Sequence, residues 1–168
     1  MNRFIPDMYK KDIYSIDYKK LKKMGIKVLV FDFDNTLIEK GNYQISNKTI
    51  ELFKSIRKDF DVYIVSNSIH TSKLNKICNS LNTPYIKDSR KPFKKGFKKL
   101  NLSNVKSKEI AMIGDQIITD VYGGKRMNYY CILIDPINNK EWLLTKINRV
   151  FESIIMKKNK IKRGSYYD

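Results

Sequence analysis

Two cysteines, one histidine and one tryptophan are all this chain has of those residue types, and the scarcity narrows its chemistry. Cys78 and Cys131 show neither CxxC nor metal-like spacing, which leaves them as reduced, buried fillers, one in a helical pattern and one in a strand. His70 stands alone, so a multi-histidine metal site is excluded; it follows a strand and reads as a loop residue. No apolar run approaches the roughly 20 residues that cross a bilayer. The opening Met1-Asn2-Arg3-Phe4-Ile5-Pro6-Asp7 has no unbroken apolar stretch to serve as a signal sequence. The expected location is the cytoplasm.

Acidic residues are also sparse, 17 against 34 lysines and arginines, for a net charge of +17. The chain is rich in Lys, Asn and Ile together, the product of A/T-biased codons, so part of this excess is compositional. Its distribution says more. Lys87, Arg90, Lys91, Lys94, Lys95, Lys98 and Lys99 crowd one segment against a single acid, Asp88. Lys157, Lys158, Lys160, Lys162 and Arg163 form a second cluster without any. Such potential concentrates anionic substrates and favours anionic lipid surfaces. It also permits contact with nucleic acid, though only non-specifically, because no RNA-binding motif is present.

At 168 residues and 42% hydrophobic, the chain suits one packed domain rather than a disordered one. Strand-like runs at 28–33, 62–66, 110–114 and 129–134, with a weaker one at Tyr85-Ile86, alternate with helical patterns. The helices read as 47–59, 71–81, 93–100 and 117–127, the first capped by Ser46 or Asn47. This alternation predicts an α/β fold whose mainly parallel sheet carries helices on both faces. In such sheets the ligand lies beyond the carboxyl ends of the strands. Gly123-Gly124 is expected to end or loosen the last of these helices.

Three strands end in chemistry. The run Val28 to Phe31 passes into Asp32, Phe33, Asp34, Asn35 and Thr36. Side chains alternate along a strand, so Asp32 and Asp34 are expected on one side, where two carboxylates repel and resist desolvation. A cation relieves both costs, and hard oxygens without Cys or His point to Mg2+. Ile64-Val65 ends in Ser66-Asn67, Ala111 to Gly114 ends in Asp115 with Asp120 five residues on, and Arg90-Lys91-Pro92 supplies cations from a loop.

With these four segments in order, the chain resembles the haloacid dehalogenase-like (HAD) hydrolases. Phe4-Ile5-Pro6-Asp7, Val65-Ser66-Asn67, Arg90-Lys91-Pro92 and Gly114-Asp115-Gln116 through Thr119-Asp120-Val121 further resemble the YqeG-like family, itself similar to mitochondrial phosphatidylglycerophosphate phosphatases. The resemblance implies a Rossmann-like HAD fold. It makes Asp32 the nucleophile that forms an aspartyl-phosphate and Asp34 the acid/base. It gives Mg2+ to Asp32, Asp115 and the main-chain carbonyl of Asp34, with Asp120 orienting Lys91 or completing the outer metal shell. Ser66 and the Asn67 main chain would bind the phosphoryl group, Lys91 would offset charge, and Thr36 and Arg90 would hold the loop and contact substrate. Relatives that cleave carbon–halogen bonds lack an acid at the position of Asp34, so phosphate transfer to water is the expected reaction.

Neither Leu37–Ser46 nor Ser66–Lys91 has room for a cap domain, so an open site is expected, fit for a phosphorylated substrate too large to enclose. A lipid head group leads. The alternatives are a phosphoprotein, a nucleotide or an RNA end, or a basic RNA- or ribosome-associated binding protein in which the site is incidental. Four parts are expected: an N-terminal extension over 1–25, the phosphatase core over 26–137, an amphipathic helix over 138–158 and a basic mobile tail over 159–168. The helix, with Trp142, Leu143, Ile147, Val150, Phe151, Ile154 and Ile155, packs on the core or lies on the inner membrane face.

Overall fold

The computed structural model describes residues 2–39, 41, 42, 44–69, 71–100, 102–138, 151, 153–162 and 164–168. Its apolar runs form one parallel sheet from β1 (Met8–Lys10), β2 (Val28–Phe31), β3 (Asp61–Val65), β4 (Tyr85–Ile86), β5 (Ile110–Gly114) and β6 (Tyr130–Ile134), in the order β1-β6-β5-β2-β3-β4. The chain winds outward from β2 through β3 to β4, then returns to β5 on the other side of β2. The reversal between β2 and β5 is the switch point at which open parallel sheets bind ligands.

Strand periodicity sorts the core. Leu29, Phe31, Ala111, Ile113, Ile132 and Ile134 enter one apolar cluster, while Val28, Val30, Ile110, Met112, Cys131 and Leu133 enter the other. The first is covered by α1 (Tyr18–Lys23), α2 (Asn47–Ile56) and α3 (Thr71–Ser80), through residues such as Leu21, Phe53, Leu74 and Ile77. The second meets Phe97 of α4 (Lys94–Lys98) and Cys131 beside α5 (Tyr122–Arg126). Ser46 caps α2 as its sequence predicts, its hydroxyl accepting from the Thr49 N–H at 3.1 Å. No helix among the described residues is long and apolar enough to cross a membrane. The connections over 37–46 and 66–91, where a cap was expected to have no room, hold no added domain among the described residues.

Three local readings change. The 1–25 segment is more than an extension, because β1 is the edge strand, paired with β6 from Met8↔Ile132 to Lys10↔Ile134. Asp7 seats it, accepting from the Cys131 N–H at 2.6 Å and pairing with Lys125 of α5. The tail read as mobile is fixed at its end. Tyr9 and Tyr167 exchange main-chain hydrogen bonds at 2.9 Å, and Asp168 pairs with Lys10. Gly123 and Gly124 sit inside α5, not at its C-cap. A Cβ on Gly124 would lie 2.7 Å from Cys131 Sγ, so the pair lets the helix lie close against the sheet. Of the expected C-terminal helix, residues 153–158 are helical and Met156 is buried in the second cluster. Trp142, Leu143, Ile147 and Val150 lie outside the described residues.

Candidate active site

Asp32 follows β2 directly and its N–H still bonds to Ile113 O of β5 at 2.8 Å, so the sheet itself fixes the start of the site. Asp115 stands at the end of β5, fully buried. Thr36 ties these neighbouring strand ends together, its hydroxyl 3.2 Å from Asp32 Oδ2 and 3.5 Å from Asp115 Oδ1. It is a brace between carboxylates. Asn35 turns the loop with φ 62°, a left-handed conformation that Asn tolerates better than most residues.

The expectation that Asp32 and Asp34 share one side fails because strand alternation stops at Phe31. Asp32 bonds Lys91, beside α4, whereas Asp34 bonds Lys73 on α3 at 3.0 Å. The two carboxylates part, one buried and one partly exposed at the mouth.

Lys91 lies between Asp32 (2.5 Å) and Asp120 (2.7 Å), its side chain 1% exposed. Burial alone would depress this ammonium, but the charges of Asp120 and Asp32 outweigh it and hold its pKa above the ordinary lysine value. Burial also raises Asp32, to about 7, against the opposing pull of Lys91. Asn67 holds Lys91 in place. Its Oδ1 accepts from the Lys91 N–H at 2.7 Å and from the Ser89 hydroxyl at 2.7 Å, while its Nδ2 donates to Lys91 O at 3.0 Å. Asn67 was expected to act through its main chain at a helix start; α3 begins four residues later, at Thr71, and the side chain is a clamp. Ser66 is buried, its Oγ accepting from the Ser68 N–H at 3.0 Å, which leaves the hydroxyl hydrogen to donate. Arg90 is exposed beside Asp88 and lines a cavity of about 90 Å³ with Lys95 and Lys99. His70 lies outside the described residues.

Asp120 reaches Lys91 because the backbone widens. Residues Ile117–Val121 form one π-helical turn, with Val121 N bonded to Gln116 O, where an uninterrupted α-helix was expected. Gly114 makes the space: a Cβ there would lie 2.4 Å from the Asp120 carboxyl. Both Asp120 oxygens are engaged, Oδ1 by Lys91 and Oδ2 by the Gln116 N–H at 3.1 Å.

Oxygens of Asp32, Asp115 and Asp120 lie within 4.8 Å of one another. With Asp34 they make four carboxylates against Lys73 and Lys91, a formal excess of two negative charges. Hard, buried oxygens with that excess fit a small divalent cation. Each of the three is also held by the protein, Asp32 and Asp120 by Lys91 and Asp115 by the Thr36 hydroxyl.

Residues 1–138 match the family described as mitochondrial PGP phosphatase. The chain belongs to that family. This phosphatase is 34% identical over 155 residues to the probable phosphatase YqeG of Bacillus subtilis, covering 91% of the chain and 90% of that protein. It is 27% identical over 148 residues to phosphatidylglycerophosphate phosphatase 1, chloroplastic/mitochondrial, of Arabidopsis thaliana, covering 82% of the chain but 42% of the plant protein's length. In fold it is similar to a HAD phosphatase from Thermococcus onnurineus, with TM-score 0.55, 16% identity and coverage of 75% and 98%. The magnesium-bound HAD hydrolase YfnB of Bacillus subtilis gives 0.56, 13%, 71% and 91%. The protein is a phosphatase of that family with a HAD-like fold.

Proposed function

We propose that the protein hydrolyses a phosphomonoester on a phosphatidylglycerophosphate-type lipid, Mg2+-dependently and through an aspartyl-phosphate at Asp32, at a membrane surface. The observation that carries this reading is the division of labour between Asp32, locked to Lys91 in the interior, and Asp34, open at the mouth. An Asp32 oxygen attacks phosphorus in line, the P–O bond to the alcohol breaks, and the alkoxide takes a proton from Asp34. A water then attacks the same phosphorus, gives its proton to Asp34, and the acyl-phosphate P–O bond breaks to release inorganic phosphate and Asp32. Ser66 donates to a phosphoryl oxygen, with the Asn67 N–H beside it, and Lys91 balances the charge that gathers on Asp32 and the phosphoryl group.

Asp32, Asp115 and the main-chain carbonyl of Asp34 would hold Mg2+, which when bound screens the phosphoryl charge from the anionic nucleophile. Among features supporting a membrane-borne substrate are the uncapped site and the lysines at 157, 158, 160 and 162, beside exposed Phe151 and Ile154. The test is phosphate release from phosphatidylglycerophosphate in anionic vesicles with Mg2+, together with vesicle co-sedimentation. Lipid turnover with binding is expected; turnover of soluble esters alone, without vesicle binding, overturns the lipid reading.

A further inference from the structure

A second buried lysine stands at the mouth, and the chemistry above does not use it. Lys73, on α3, has a side chain 9% exposed. Its Nζ lies 3.0 Å from Asp34 Oδ1 and 5.3 Å from the centre of the Phe33 ring. We propose that Lys73 determines specificity by binding a second anionic group, a phosphodiester carried on the leaving alcohol; this rests on the phosphatase reading above.

The position follows from Asp34. The group that protonates the leaving oxygen sits within hydrogen-bond reach of it, about 3 Å. An ammonium 3.0 Å from Asp34 Oδ1 is therefore on the Asp34 side of the breaking bond, within about 8 Å of that oxygen whichever carboxyl oxygen carries the proton. Lys91 is elsewhere, enclosed between Asp32 and Asp120 on the side of the transferring phosphoryl group. The two lysines thus serve opposite ends of the substrate. A glycerol between two phosphates spans the gap that separates the leaving oxygen from Lys73. Burial of the side chain and the bond to Asp34 hold the ammonium in place, so little side-chain freedom remains to be lost on binding. Nearby, exposed Lys87 donates to the Thr71 hydroxyl at 2.9 Å, which adds positive charge at the start of α3. With no cap to select the alcohol, selection falls to core residues that touch it, and Lys73 is placed to do so.

The test compares two water-soluble esters of glycerol: deacylated phosphatidylglycerophosphate, which carries the diester, and glycerol 3-phosphate, which does not. The wild type is expected to favour the first in kcat/KM. Lys73→Gln and Lys73→Met, checked for folding by circular dichroism, should reduce that preference about tenfold or more, and Lys73→Arg should restore most of it. Equal losses on both esters would mean that Lys73 acts only through Asp34, and would overturn the proposal. A preference that survives in the variants overturns it alone; a wild type without preference overturns the phosphatidylglycerophosphate-type reading as well. A wild-type measurement covers variants that fail to fold. Glycerophosphoglycerol, a diester without the monoester, is expected to compete with glycerol 3-phosphate, and absence of competition counts against Lys73 as a diester site.

Discussion

At the entry end of the sheet Lys125 meets Asp7, and at the exit end Lys91 meets Asp32 and Asp120. Both lysines are buried, yet the first pair is balanced and the second is not. Asp7 faces one ammonium and one N–H, from Cys131, so its two oxygens are matched and β1 is pinned to β6 and α5. Lys91, by contrast, pairs with both Asp32 and Asp120, and an oxygen of Asp115 lies within 4.8 Å of theirs, so three carboxylates gather beside one lysine. Folding alone does not favour such an excess, because buried carboxylates that outnumber the nearby cations are costly. A matched buried pair reads as structure; an unmatched cluster at a strand-end switch point reads as a site waiting for charge.

The comparison can be broken most severely at Lys91. Lys91→Met leaves three buried carboxylates without their cation, so phosphate release should fall about a thousandfold or more. Stability, followed by urea unfolding of the metal-free protein, should drop by about 3–5 kcal/mol. Gly114→Ala comes next, since its methyl must displace the Asp120 carboxyl from Lys91 and Gln116. It should cost about 1–3 kcal/mol and reduce kcat about ten- to a hundredfold. Lys125→Met sharpens the contrast, lowering stability by about 1–3 kcal/mol with kcat unchanged, because Asp7 is partly exposed and the pair stands at the opposite ends of the strands from Asp32. A loss of kcat as large as that of Lys91→Met would erase the distinction between the two ends.

The smallest effect is on pH. In the metal-free fold Asp32 titrates near 7, raised by burial, against an ordinary 3.8. Between those values the folded protein keeps a proton that the unfolded chain has released. This group's stabilisation is therefore full below about pH 4 and lost as pH rises toward 7. Thermal melts of the metal-free wild type should show that decline, and Asp32→Asn should flatten it.

Much of this contrast is legible in the sequence. Strands β2, β3 and β5 are apolar runs that end in Asp32, Ser66 and Asp115, and both the period and the terminal residue are local signals. Lys91 is readable because it sits between Arg90 and Pro92 at the correct place in a known order. What is hidden depends on contacts distant in the chain. β1 has three residues and no clear alternation, and only β6 makes it a strand. The tail's end is held by Tyr9, from the opposite end of the chain. The π-helical turn follows from the space above Gly114, which no helix propensity encodes. Lys73 looks like one more lysine in a basic helix; its burial and its bond to Asp34 appear only once α3 is packed. Asn67 hid its clamp for the same reason, since its partner Lys91 arrives from a different loop.

The central claim is that the unmatched cluster is a phosphatase centre with Asp32 as its nucleophile. Its most direct test is Mg2+-dependent phosphate release by wild type and by Asp32→Asn, each verified as folded. The account predicts turnover in the wild type that stops when Mg2+ is chelated and is lost in the variant. Turnover that survives Asp32→Asn at the wild-type rate would contradict it.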